Sequence, residues 1–185
     1  MQQAWIRERE WEDVRSTAVE EDSNKKGRLY PREFREGEIE KESVVVIYCD
    51  GACRGNGTTE ARASFGVFVS AQHPKNTAAF ISEDLPQTNQ VAELVAVFQA
   101  LKEGVREVQE RGVEHMVTAS DSEYACYSLT RWIEEWKDRG YKGIKNARLF
   151  EQIDREIKEM ERELGVRVQF WKISRESNGM ADGLA

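Results

Sequence analysis

Val44-Val45-Val46-Ile47-Tyr48-Cys49-Asp50-Gly51-Ala52-Cys53-Arg54-Gly55-Asn56-Gly57 is the stretch on which the reading of this chain turns. Its first six residues form a short apolar run rich in β-branched side chains, which predicts a buried central strand over 44–49. Asp50 closes the run, and a glycine-rich turn is expected from Gly51 onward. Carboxylates at strand ends sit where open α/β sheets carry their ligands. Three more acids stand in telling contexts: Glu93 inside an apolar-periodic segment, Asp121 after the apolar stretch Val113 to Ala119, and Asp182 in Ala-Asp-Gly-Leu-Ala. Brought together, such a cluster repels itself unless divalent cations fill it. The chain therefore points to metal-ion chemistry.

Working outward from that stretch, strands are expected over 63–71 and 77–82, joined by short links into an antiparallel meander. Thr88 to Arg111 reads as a long helix, with Val91, Leu94, Val95, Phe98, Leu101, Val105 and Val108 on its inner stripe and Gly112 as C-cap. A strand over 113–119 follows, then short helices over 122–129 and 131–136. A further helix spans 146–164, with Leu149, Phe150, Ile153, Ile157, Met160 and Leu164 facing inward, and Gly165 ends it. The last strand covers 166–173, and a final helix starts near Asn178. This order predicts a mixed sheet with right-handed crossovers. It makes the strands ending at Asp50 and Asp121 parallel neighbours, with both carboxylates on one edge. Asp121 has a plainer alternative, as the cap of the helix after it.

A length of 185 residues and 39% hydrophobic content suit one α/β domain plus a tail. Residues 1–42 are the tail: dense in Glu, Arg and Lys, they read as a charged, flexible extension, with Trp5, Trp11 and Phe34 available to the domain or to an unknown partner. No apolar run approaches the roughly 20 residues of a membrane helix. The N-terminus lacks a signal core, so an intracellular protein, nuclear or cytoplasmic, is expected. Three cysteines without a CxxC pair read as free thiols. The net charge of −7 is not that of a nucleic-acid binder on average, but net charge governs steering and not local patches.

Four phrases, Asp-Gly-Ala-Cys-Arg-Gly-Asn-Gly (50–57), Thr-Asn-Gln-Val-Ala-Glu-Leu (88–94), Asp-Ser-Glu-Tyr (121–124) and Ala-Asp-Gly-Leu-Ala (181–185), together resemble type 1 ribonuclease H. Trp132-Ile-Glu-Glu-Trp136-Lys137, followed by Gly140-Tyr-Lys142 and Lys145-Asn146, is similar to the eukaryotic branch. The resemblance covers residues 44–185 in order. It implies an α/β, ribonuclease H-like fold with a mixed five-stranded sheet, and makes 43–185 the catalytic domain. The implied activity is an endonuclease that cuts the RNA strand of RNA–DNA hybrids, leaving 5′-phosphate and 3′-hydroxyl ends. The implied cofactor is a pair of Mg²⁺ ions, with Mn²⁺ as a substitute. In that scheme Asp50 bridges both ions, Asp182 helps hold the water-activating one, and Glu93 and Asp121 hold the other.

Further roles follow from the resemblance. Asn56, Asn89 and Gln90 match positions that reach into the minor groove. Cys53, Gly55 and Glu93 match positions that sense the 2′-hydroxyl, which separates RNA from DNA. Trp132, Trp136 and Lys137, with Lys142 and Lys145, match a protrusion that grips the DNA strand; Trp132 as a core residue is the alternative. Thr88 and Asn146 match a DNA-phosphate pocket, but Pro86 stands where the family has an arginine. Many members carry a histidine in a longer loop at 174–179. This chain has only His73 and His115, both elsewhere. The helper role passes to Arg175, or to Glu176; a guanidinium stays protonated, so Arg175 is expected to bind phosphate and not to act as a base. Slower turnover is expected, as are a monomer and a last helix that runs on past Ala185. The rival readings are the nuclease domain of a retroelement polyprotein, a binding module of the same fold with little activity, and a DNA-directed nuclease of the same fold.

Overall fold

The structure, a computed structural model, describes residues 44–185. The expectations for the extension 1–42, with Trp5, Trp11 and Phe34, and for a domain start at Ser43 lie outside the described residues. The first strand, β1 (Val44–Arg54), is central in a five-stranded sheet of order β3-β2-β1-β4-β5. β2 (Arg62–Phe68) and β3 (Thr77–Phe80) complete the antiparallel meander. β4 (His115–Ser120) and β5 (Arg167–Lys172) extend the sheet on the other side as parallel strands.

β1 changes neighbours along its length. It runs parallel to β4 from Val44 to Tyr48, where Tyr48 faces Ala119. From Tyr48 to Arg54 it runs antiparallel to β2. The two ladders part just before Asp50. The turn expected after Asp50 therefore starts only at Gly55, and Asp50 stands inside a strand of 11 residues. The reason is that β2 keeps supplying hydrogen bonds to Asp50 through Arg54. Gly51 serves close packing instead of a turn. A side chain there would overlap the backbone of Ala92 and Glu93.

That backbone belongs to α1 (Asn89–Arg111), which crosses β1 and buries Val91, Leu94, Leu101 and Val108. Thr88 caps it by accepting from the Val91 N–H at 3.3 Å, and Gly112 ends it in the left-handed region. A second long helix, α4 (Ala147–Leu164), buries Phe150, Ile153, Ile157 and Met160. Both long helices contribute to one core with Val45, Ile47 and Cys49 of β1. The reason is the sheet order: β1 to β4 to β5 advances in one direction, and right-handed crossovers then place both helices on the same face. The expected central strand is there, but only one of its faces is fully buried. Val44, Val46 and Tyr48 are half-buried against a smaller cluster with Val117, Ala119, Trp171 and Ile173.

Between β4 and α4 lie α2 (Glu123–Tyr127), a π-type turn (Ser128–Trp132) and α3 (Ile133–Asp138). The two separate short helices expected here run into one another through that wide turn. After β5 come a 3₁₀ turn (Arg175–Asn178) and a four-residue helix, α5 (Gly179–Asp182). Gly66 on β2 is the seat for α5: a side chain there would strike the backbone of Ala181 and Ala185. The Ser64 hydroxyl donates to the Ala185 carbonyl beside it. Among the described residues no helix is long and apolar enough to cross a membrane.

Candidate active site

Asp50, Glu93, Asp121 and Asp182 line a single cleft of roughly 540 Å³ at the place where the β1 ladders part. Each comes from a different element: β1, α1, the residue after β4, and α5. The backbone contact at Gly51 sets Glu93 against β1 next to Asp50. The Ser122 hydroxyl donates to Glu93 Oε2 at 2.6 Å and accepts from the Ala125 N–H at 3.1 Å. One side chain therefore caps α2 and orients Glu93. This also decides the alternative for Asp121, because the cap of α2 is Ser122. Asp121 Oδ1 accepts from the Asn178 amide at 2.8 Å, and the same amide donates to the Cys49 carbonyl at 3.1 Å. Asn178 is buried, and it ties the C-terminal turn to β1 and to Asp121 at once. Asp182 pairs with Arg175 at 3.2 Å.

The acids crowd one another. Burial first, then the charges of Asp121 and Asp182, push the Asp50 carboxyl up to about 7. Burial also raises Glu93, with Asp121 adding to it and the Ser122 bond opposing it. A site that pushes its carboxylates toward protonation is one where added positive charge is favoured. The donors are hard oxygens, which suit Mg²⁺ or Mn²⁺. Among the described residues no three Asp, Glu, His or Cys side chains are grouped so as to hold an ion by themselves. Mg²⁺ binds through one or two carboxylates and takes its other ligands from water and phosphate, so acids spread along a cleft fit it better than a closed cage would. A thiolate–histidine zinc site does not fit, since among the described residues Cys53 is the only Cys or His on the wall.

Cys53, Asn89 and Arg175 share the cleft wall with the acids. Gly55, Asn56, Thr88, Gln90, Trp132, Trp136, Lys137 and Asn146 lie outside that wall. The 55–57 loop is nonetheless tied to the start of α1, where Asn56 Oδ1 accepts from the Asn89 N–H at 3.3 Å. Asn146, in the left-handed region, donates to the Tyr124 hydroxyl at 3.3 Å, and Tyr124 lines the cleft. Trp132 is 42% exposed, so it is not a core residue. Trp136 is half-buried and packs edge-on against Phe150 at 5.0 Å between centroids. The Lys137 ammonium meets Asp154 at 2.5 Å and also Glu134, joining α3 to α4. Sequence reasoning gave no role to Ser122 or Asn178. Ser122 carries a readable signal, an N-cap type just before a short helix. Asn178 carries none, because its partners lie 57 and 129 residues away.

The sheet order, the helices and the acid-lined parting edge define an α/β domain of the ribonuclease H-like fold. The chain belongs to the RNase H family, whose residue pattern matches residues 42–185. Ribonuclease H1 of Rattus norvegicus is 32% identical over 117 residues, which is 60% of this chain and 38% of that protein. Ribonuclease H of a Coxiella burnetii strain is 32% identical over 124 residues, covering 64% of this chain and 73% of that protein. The match thus spans 38% of the length of the rat relative. Among solved structures, LC11-RNase H1 in complex with RNA/DNA hybrid aligns with a TM-score of 0.51 at 25% identity, over 76% of this chain and 92% of that one. The RNase H domain of PFV aligns with a TM-score of 0.56 at 20% identity, over 76% and 91%, which bears on the fold alone.

Proposed function

We propose that this chain hydrolyses the RNA strand of RNA–DNA hybrids, leaving 5′-phosphate and 3′-hydroxyl ends, with two divalent ions, Mg²⁺ or Mn²⁺, held by Asp50, Glu93, Asp121 and Asp182. The observation that carries this reading is the convergence of these acids, from four elements far apart in sequence, on one cleft. LC11-RNase H1, which shares the fold, was solved with an RNA/DNA hybrid bound. When bound, such ions supply an activated water and neutralise charge on the leaving oxygen.

The protein's share is positioning and charge. Ser122 and Asn178 hold Glu93 and Asp121 in fixed orientations before any ligand arrives. Asp50 releases its retained proton on becoming a ligand, so the site works better above about pH 7 than below it. Arg175 offers its guanidinium charge to a phosphate. Gly55 and Gly57 both have positive φ and let the loop at Asn56 come close to a groove. Exposed Trp132 presents a face for stacking on the DNA strand. All four acids come from one chain, so a monomer suffices.

The test is direct. Labelled RNA–DNA hybrid, duplex RNA and duplex DNA are incubated with the protein in Mg²⁺ or EDTA. Cutting of the hybrid alone, dependent on metal and lost in Asp50→Asn, is expected. Folded protein that leaves the hybrid intact in Mg²⁺ and in Mn²⁺ sinks the reading.

A further inference from the structure

Three of the four acids are tethered, and the tethers differ in kind. Glu93 takes a hydroxyl from Ser122, and Asp121 takes an amide from Asn178. Both donors are neutral: they orient a carboxylate and leave its charge standing. Asp182 instead takes a guanidinium, from Arg175 at 3.2 Å, and this donor cancels the charge as well. The pair is open to water, with the side chain of Arg175 77% exposed and that of Asp182 46% exposed. Exposed ion pairs are weak and easily exchanged. Arg175 also lines the cleft, so its cation faces the space that a phosphodiester backbone would cross. A planar guanidinium matches a phosphate with two parallel N–H donors, a better partner than one carboxylate oxygen.

We infer that Arg175 is a hand-over latch on Asp182. In the free protein it covers this acid and competes with any cation for it. An incoming phosphate draws the guanidinium away and uncovers Asp182 for a divalent ion. Cation binding at this acid is therefore weak without substrate and stronger with it, and by linkage the cation strengthens the grip on the phosphate. The identity of the phosphate donor, an RNA–DNA hybrid, rests on the proposed hydrolase reading. The competition between Arg175 and a cation does not.

Calorimetric titration of Ca²⁺, a hard oxygen-seeking dication, into the full chain tests the latch without reading activity. Arg175→Ala is expected to bind Ca²⁺ roughly two- to fivefold more tightly than the unaltered chain, the range an exposed ion pair supports. Arg175→Lys, which keeps a cation, stays near the unaltered chain. On an Asp182→Asn background, Arg175→Ala adds nothing. A short RNA–DNA hybrid tightens Ca²⁺ binding in the unaltered chain more than in Arg175→Ala. Equal or weaker Ca²⁺ affinity in Arg175→Ala overturns the latch, and so does a gain that persists without Asp182. Equal tightening by hybrid in both proteins overturns the hand-over. A hybrid that does not bind at all, seen as unchanged fluorescence anisotropy, overturns the hand-over together with the hydrolase reading, and the hybrid-free comparison still decides the competition.

Discussion

The acid cleft and the segment from Glu123 to Asn146 treat charge in opposite ways. In the cleft, Glu93 and Asp121 are held by neutral donors, and their negative charge stays uncompensated. In the segment, Lys137 meets Glu134 and Asp154, and Arg139 meets Glu135. The cleft leaves these two charges standing, and the segment pairs its own, with Lys137–Asp154 joining helix to helix. What the segment offers outward is the aromatic face of Trp132 together with exposed Lys142 and Lys145. The contrast shows how a chain of net charge −7 distributes its charge unevenly, gathering acids in the cleft and leaving Trp132, Lys142 and Lys145 exposed on the segment.

The contrast is broken most severely at Asp50. Asp50→Asn is expected to reduce hybrid cleavage by more than about a hundredfold, beyond the loss typical of a residue that only supports a ligand. It should also raise the metal-free melting temperature at neutral pH by about 2–4 °C. The sign follows from linkage: the folded carboxyl is raised to about 7, so its favourable contribution is complete below the ordinary carboxylate range and gone once pH passes about 7. Asparagine removes that loss, and differential scanning calorimetry in EDTA checks it. Next in size is Asn178→Ala, which should weaken metal affinity about 10- to 100-fold through misplacement of Asp121. Calorimetric Mg²⁺ titration reads it, and an unchanged affinity would show Asn178 to be packing only.

A pH series sharpens the electrostatic half of the contrast. Below about pH 7 the Mg²⁺ concentration for half-saturation should rise by up to about tenfold per pH unit, since one proton must leave Asp50. A flat profile between about pH 5 and 7 contradicts the retained proton. The smallest effects separate Trp132 from Lys137. Trp132→Ala should weaken hybrid binding by about fivefold with little change in stability. Lys137→Ala should leave hybrid affinity alone and cost about 1 kcal/mol of stability, because two carboxylates lose their shared partner. Hybrid binding by anisotropy and urea unfolding of the same two variants would expose a reversed assignment.

The sequence shows three of the four acids clearly, because Asp50 and Asp121 follow apolar runs and Glu93 interrupts one, whereas Asp182 stands out only by the resemblance of its phrase. It shows the five strands and both long helices through the same apolar patterns. It does not show that β1 continues past Asp50. A glycine after an acid looks the same whether it serves a turn or lets a helix lie against the strand, and only the neighbour, Ala92–Glu93, decides. The half-exposed face of β1 was hidden too, because an all-apolar run carries no alternation to mark it. The pairing of Lys137 was illegible since one partner, Asp154, sits on another helix. Asn178 was invisible because its role consists wholly of long-range hydrogen bonds.

The contact between Gly66 and α5 has a consequence for precision. A helix of four residues holds no shape alone. Here its main chain at Ala181 lies directly against the main chain of Gly66, so there is little play in the joint. The backbone at Asp182 thereby inherits the stiffness of the sheet beneath it, and the base of this side chain keeps its place even while Arg175 comes and goes.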